Sequence, residues 1–379
     1  MKVLIASEFR CHIFADKFYL SRRAFTIYKR YAKKFGKIVL CSRFVRVDKL
    51  EPDLYEADFI VDTIFVDSLV DMLIGKNNTK VKEKMNDCSL VICRMPSIIA
   101  YRASDIARKL NKPVLAELMC DGWDPYWNHG IFGKIIAPYM HLKMKRVTYN
   151  ADYAVYVTEK FLQGRYPCKN PSINASNVQI QSVSEEVLAK RLKLIEERHV
   201  KNNVSVMTTA TIDLFSKGQR FVVEAIGELK KKGIIVNYYL VGDGKQDYLR
   251  NIAKKCKVEE QLVFLGLLTL DQVYEQIDKV DIYIQPSLQE GLPRAVIEAM
   301  SRACPCLGAR TAGIPELLDD ECIFERSSGI STANAIEKLV AKGLTDYAKR
   351  NFEHSKEYLE DVLDRRRNDY FSEIYRKLK

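Results

Sequence analysis

Three charged side chains in the second half of the chain are of the types that handle a phosphorylated ligand. Glu290 and Glu298 both fall within "QPSLQEGLPRAVIEAM" (285–300). Glu298 lies more than one turn inside an apolar helix, flanked by Val296, Ile297, Ala299 and Met300, where a carboxylate is costly unless something pairs with it. Its partner is either Arg294, one helical turn earlier, or a pair of ligand hydroxyls such as those of a ribose. Glu290 sits in the preceding loop, either solvated or facing a ligand. Lys217 stands beside a glycine in "FSKGQR" (215–220), just before a helix, where an ammonium neutralises phosphate as a point charge. Pro293 suits the first turn of the helix that carries Glu298, and Gly291 just before it permits close approach, so the free amides there could hold an anion. Gly242 opens a glycine turn, "VGDGK" (241–245). Neither a Walker A loop nor G-x-G-x-x-G is present, which disfavours P-loop and NAD chemistry.

These residues need a scaffold that lines up their loops. From residue 204 the chain alternates apolar runs with helical patterns: "VSVMTTA", "VNYYLVG", "LVFLG", "DIYIQPS" and "CPCLGA" are the strands. The first half alternates likewise, with "KVLIA", "KIVLC", "DFIVD", "SLVIC", "PVLAEL" and "DYAVYVT". Continuous apolar runs of this length suit parallel sheets covered on both faces. The expected fold class is therefore α/β, two doubly wound domains, with ligands bound in a cleft outside the carboxyl ends of the strands. The expected boundaries are 1–180 for the N-terminal domain, 181–203 for an interdomain connection and 204–355 for the second domain, the resemblance described below implying that the first binds the acceptor and the second the nucleotide sugar. A last helix, 356–379, is expected to pack back on the first domain.

In the first half, "CDGWDPYWNHG" (120–130) follows a strand and holds both tryptophans. Trp123 and Trp127 either form a sugar-stacking platform or belong to the core. Asp121 either caps the turn at Gly122 or faces a ligand, and Arg94 ends another strand as a candidate contact for a charged substrate. All of the net charge of +11 lies before residue 181, where 29 basic side chains face 18 acidic ones. The stretch "SRRAFTIYKRYAKKFGK" (21–37) reads as an amphipathic helix with a basic face, suited to anionic lipid or a diphosphate-bearing acceptor. No nucleic-acid recognition motif accompanies the charge. Ten irregularly spaced cysteines and five scattered histidines form no zinc pattern, so no metal is expected.

The run from 236 to 318, with "PS", "EGLP", "EAM" and "GIPEL" in order, resembles the donor-binding domain of retaining glycosyltransferases of family 4, which have the two-domain GT-B fold. Glu290 and Glu298 match the family's glutamate pair. The resemblance implies that Glu298 accepts from the donor ribose and that Lys217, Gly291 and Leu292 hold the diphosphate. Gly242 belongs to the same donor site, Glu290 faces the transferred sugar, and the base lies near Leu265 and Leu267. Asp121 falls roughly where the family places a histidine or acid facing the donor sugar. Two departures stand out: no arginine shortly precedes Lys217, and the glycine pair often found after the first strand is replaced by "ASEFRCH" (6–12).

The implied activity is transfer of a sugar from a nucleotide diphosphate sugar to a growing, lipid-linked surface polysaccharide, without cofactor or metal. The expected partners are the donor, a glycan or lipid-diphosphate-linked acceptor and an anionic membrane surface, with the enzyme at the inner face of the cytoplasmic membrane. The rival readings are a nucleotide-sugar epimerase, a phosphorolytic enzyme and a non-catalytic nucleotide-sugar-binding protein.

Overall fold

The computed structural model describes all 379 residues, Met1–Lys379. The chain divides into two compact units, one formed by Met1–Ala175 with Arg365–Lys379, the other by Ser176–Asp364.

The first unit is built on seven parallel strands in the order Ser172–Asn174, Tyr153–Tyr156, Val114–Leu118, Leu90–Met95, Lys2–Ala6, Lys37–Ser42 and Ile60–Phe65. Val3 pairs with Ile38 on one side and Leu90 on the other. Helices cover both faces, so Val3, Leu4, Ile5 and Ala6 are all fully buried, as an uninterrupted apolar strand requires. The last helix, Glu360–Leu378, contributes Tyr370, Phe371 and Ile374 to the same core, where Phe371 meets Tyr31 and Phe35.

Two features of this unit differ from the sequence reading. Residues 11–21, where the sequence reading placed no strand, form an antiparallel hairpin, Cys11–Phe14 with Lys17–Ser21, within a small four-stranded sheet. Its two turn residues, Ala15 and Asp16, have φ of 47° and 58°. That is the doubly left-handed geometry usually signalled by Asn-Gly, and an alanine hides it. The expected basic helix is present as Arg22–Phe35, but its apolar side is spent on the core: Ala24, Ile27, Tyr28, Tyr31 and Phe35 are buried. Several of its cations also lie over rings of the same unit, Arg23 over Phe9 and Lys34 over Tyr375.

The second unit has six parallel strands in the order Leu262–Gly266, Ile235–Val241, Asn203–Thr209, Ile282–Gln285, Cys306–Ala309 and Ile323–Phe324. The expected connection at 181–203 is mostly the helix Glu185–Arg198, and it belongs to this unit. Buried Arg191 fixes it there, donating to the carbonyls of Val280 at 2.6 Å and Ile277 at 2.7 Å. A polar, charged surface face made the helix read as a linker. The fold is thus two Rossmann-like units in one chain.

Candidate functional site

In the second unit, strand order places the carboxyl ends of Asn203–Thr209 and Ile282–Gln285 side by side, since these strands are neighbours in the sheet. The loops that follow them carry Lys217 and Glu290, and the two side chains meet: Lys217 Nζ lies 3.0 Å from Glu290 Oε1. The loops are stitched together by backbone as well. Leu288 N donates to Ser216 O at 2.8 Å, and Gly218, at φ +70°, packs so closely that a Cβ there would stand 1.9 Å from Pro286 O. Only glycine fits this turn. Gly218→Ala is therefore expected to cost at least about 1 kcal/mol of stability, read as a lower urea midpoint.

A buried polar chain, not foreseen from the sequence, supports the pair. Thr209 N donates to Tyr283 Oη at 3.2 Å, and Tyr283 Oη donates to Gln285 Oε1 at 3.0 Å. Gln285 Nε2 then reaches Ser287 Oγ at 2.8 Å and Glu290 Oε1 at 3.3 Å. Tyr283, Gln285 and Ser287 are buried, so each must be satisfied inside the protein, and together they aim Glu290 Oε1 at Lys217. The signal available in "DIYIQPS" was its two polar tips on one strand, which an apolar-run reading overlooks. Thr209 Oγ1 and Thr311 Oγ1 are buried hydroxyls without a partner, near the ends of their strands.

Glu298 stands on the helix Arg294–Ser301, for which Pro293 is the residue just before the first turn, one position earlier than expected. Gly291 and Leu292, which lead into it, are buried, and Gly291 O accepts from Gly313 N at 2.9 Å. The Glu298 carboxylate is half-buried and makes no hydrogen bond or ion pair within the chain. Burial raises its pKa above the usual glutamate value, and the Arg294 charge offsets this only in part. The expected alternative, a direct pair with Arg294, does not form. Gly242, at φ +147°, closes against Ala210 O, and its N–H donates to Gly266 O at 2.9 Å. That contact brings the turn beside Leu265, which is half-buried, and Leu267, which is 78 % exposed. Arg220, three residues after Lys217, does not replace the missing arginine, since it pairs with Glu224 at 2.8 Å.

The candidates of the first unit have a different character. Asp121 is 1 % exposed and holds its own loop: Oδ1 accepts from Trp123 N at 3.2 Å, from Arg165 Nε at 3.0 Å and from the Tyr166 hydroxyl. This is the turn-capping arrangement, and it leaves no open face for a donor sugar. Arg94 is 4 % exposed, so as a substrate contact it is occluded. It forms an ion pair with Glu117 Oε2 at 2.7 Å, and the same oxygen accepts from Tyr31 Oη at 2.7 Å. Removing the charge from water requires such a partner. Trp123 and Trp127 stack on each other at 5.1 Å and 24°, Trp123 also meeting His141 edge-on, so only Trp127 offers a substantial free surface.

Comparison with known proteins covers the same stretch of chain. The family description Glycosyl transferases group 1 matches residues 203–342, which span the whole arrangement from Lys217 to Glu298. Protein CapJ of Staphylococcus aureus is 28% identical over 97% of this chain and 90% of its own length. The putative colanic acid biosynthesis glycosyltransferase WcaL of Salmonella typhimurium is 27% identical over 40% of this chain and 37% of its own. Among solved structures, Anabaena Alr3699/HepE in complex with UDP superposes with a TM-score of 0.65 at 14% identity, covering 98% of this chain and 100% of that one. Residues 203–342 thus match the glycosyl transferases group 1 family, and the chain is a glycosyltransferase with the GT-B fold.

Proposed function

We propose that the protein moves a sugar from a nucleotide diphosphate sugar onto a growing surface polysaccharide whose acceptor end is carried on a lipid, with retention of the anomeric configuration. The observation that carries this reading is the Lys217–Glu290 pair beside an unpaired, half-buried Glu298. Glu298 would take its missing partners from the ribose hydroxyls. Lys217 and the amides leading into the helix Arg294–Ser301 would meet the charge that grows on the departing diphosphate, without a metal. Glu290 would then be released to face the transferred sugar, still aimed by Gln285. Attack from the face of the leaving group, with a diphosphate oxygen taking the acceptor's proton, accounts for retention. The names of WcaL and HepE support a polysaccharide acceptor pathway and a uridine nucleotide as the first donor series to test.

The test is incubation of the full chain with UDP-sugars and a lipid-diphosphate acceptor, with and without EDTA, followed by NMR of the product's anomeric centre. Acceptor-dependent release of UDP, unaffected by EDTA and giving the donor's own anomeric configuration, is the expected result. An inverted product, or isomerised sugar without acceptor, would overturn the proposal in favour of an inverting enzyme or an epimerase.

A further inference from the structure

Seven of the twenty large apolar side chains that the chain leaves exposed fall between residues 127 and 149, far more than an even spread would place there. Most stand on one helix, Gly130–Tyr149. Its inner side, with Ala137, Met140, Met144 and Val147, is buried in the first unit. Its outer side is also apolar: Phe132 is 87 % exposed, Ile131 77 % and Leu142 64 %, with Ile135 and Tyr139 between them. At 100° per residue, Ile131, Ile135 and Leu142 fall within about 40° of one another, with Phe132 and Tyr139 along one flank. Lys134 and Lys145 run along the other flank, and the helix contains no acidic residue. Lys134 also lies 5.6 Å from the Trp127 ring, just before the helix.

We infer that this helix face docks the enzyme on an anionic lipid bilayer, lying in the headgroup plane. The stripe runs about 16 Å along a convex helix, a shape that meets a planar interface. Apolar centre, aromatic flank and lysine flank are the composition of an interfacial helix, and the uncompensated positive charge selects an anionic surface over a neutral one. The helix does not cross the membrane, since no helix of the chain is long and apolar enough to do so. This moves the membrane contact away from the basic helix Arg22–Phe35, whose apolar side is already buried. The inference deepens the lipid-linked acceptor reading: docking here would hold the first unit where such an acceptor is anchored.

The probe is co-sedimentation of the full chain with vesicles of equal parts phosphatidylglycerol and phosphatidylethanolamine, beside vesicles of phosphatidylcholine alone. The wild type is expected to bind the anionic vesicles, less tightly as salt shortens the Debye length, and to shift its tryptophan emission to the blue. The triple variant Phe132→Ser, Ile135→Ser, Leu142→Ser should lose more than about ten-fold in binding. Lys134→Glu with Lys145→Glu should lose at least about five-fold for each charge removed, for anionic vesicles only. Because all five positions are solvent-exposed, the variants should melt like the wild type and bind nucleotide unchanged. Equal loss on reversing Arg22 and Lys33 in the other helix, or wild-type binding by the triple variant, would overturn the assignment. So would a concentration-dependent dimer that the triple variant abolishes in the absence of vesicle binding, which would name a second copy as the occupant. Should vesicle binding survive while no UDP-sugar is turned over, the proposed reaction fails and the docking face stands.

Discussion

Lys217→Ala is expected to lower kcat by about 10²–10³-fold, the loss found when one preorganised stabiliser of developing charge is removed. The ammonium is held 3.0 Å from Glu290, and the pair is anchored from below by Gln285, Tyr283 and Thr209 N. Nothing in that arrangement requires a substrate to keep it assembled. The lysine is therefore positioned before the donor arrives, and little reorganisation is needed as the diphosphate departs. Because the diphosphate is charged in the ground state too, donor binding should weaken, but far less than kcat falls. That split is the signature to seek by combining steady-state kinetics with direct titration of UDP. Lys217→Met, which keeps the aliphatic stem, should behave like the alanine variant, separating loss of charge from loss of packing. If either variant retains turnover within about ten-fold of wild type, the leaving-group charge is met elsewhere.

The supporting chain under Lys217 shows where sequence reasoning reached and where it stopped. Both Rossmann-like units were legible because their strands are continuous apolar runs, and a strand buried on both faces has no other composition open to it. Lys217, Glu290 and Glu298 were legible because each is a charge set against glycine, loop or apolar helix. Tyr283 and Gln285 were not, since on a strand they count as an aromatic and a polar tip, and only the register of Ile282–Gln285 beside Asn203–Thr209 reveals what they touch. Asp121 and Arg94 failed in the opposite way. Each ends a strand as a site residue would, yet burial and local partners, Arg165 and Tyr166 for one, Glu117 and Tyr31 for the other, consume their charges. The exposed face of Gly130–Tyr149 was invisible for a simpler reason. With both sides apolar, the helix shows no contrast, and its pattern alone reads as core.

Glu298→Gln is expected to weaken donor affinity by about 1–3 kcal/mol, a loss of roughly five- to 150-fold, the cost of pairing a buried hydrogen-bonding group badly. Glutamine keeps the shape and one acceptor oxygen, so the loss reports the charge and the second acceptor. The carboxylate's surroundings add a pH signature. Burial raises its pKa in the free protein, with the Arg294 charge a smaller opposing influence. Binding to hydroxyl donors favours the ionised form, so wild-type affinity should begin to fall, as pH is lowered, at a higher pH than an ordinary glutamate would give. The glutamine variant should show no such fall from this group. Stability has the opposite sign. A carboxyl whose folded pKa is raised binds its proton more tightly in the folded than in the unfolded state, so its contribution is present at low pH and lost as pH rises through the folded pKa. At neutral pH the ionised Glu298 is thus a burden on the fold, and Glu298→Gln should melt at the same temperature as wild type or above it. Titration of UDP across the acidic range, with thermal melts of both proteins alongside, checks both signs together. Unchanged affinity in a variant that melts normally would remove Glu298 from the donor site, whereas weaker binding with undiminished stability is what a side chain kept for its ligand, at the fold's expense, must show.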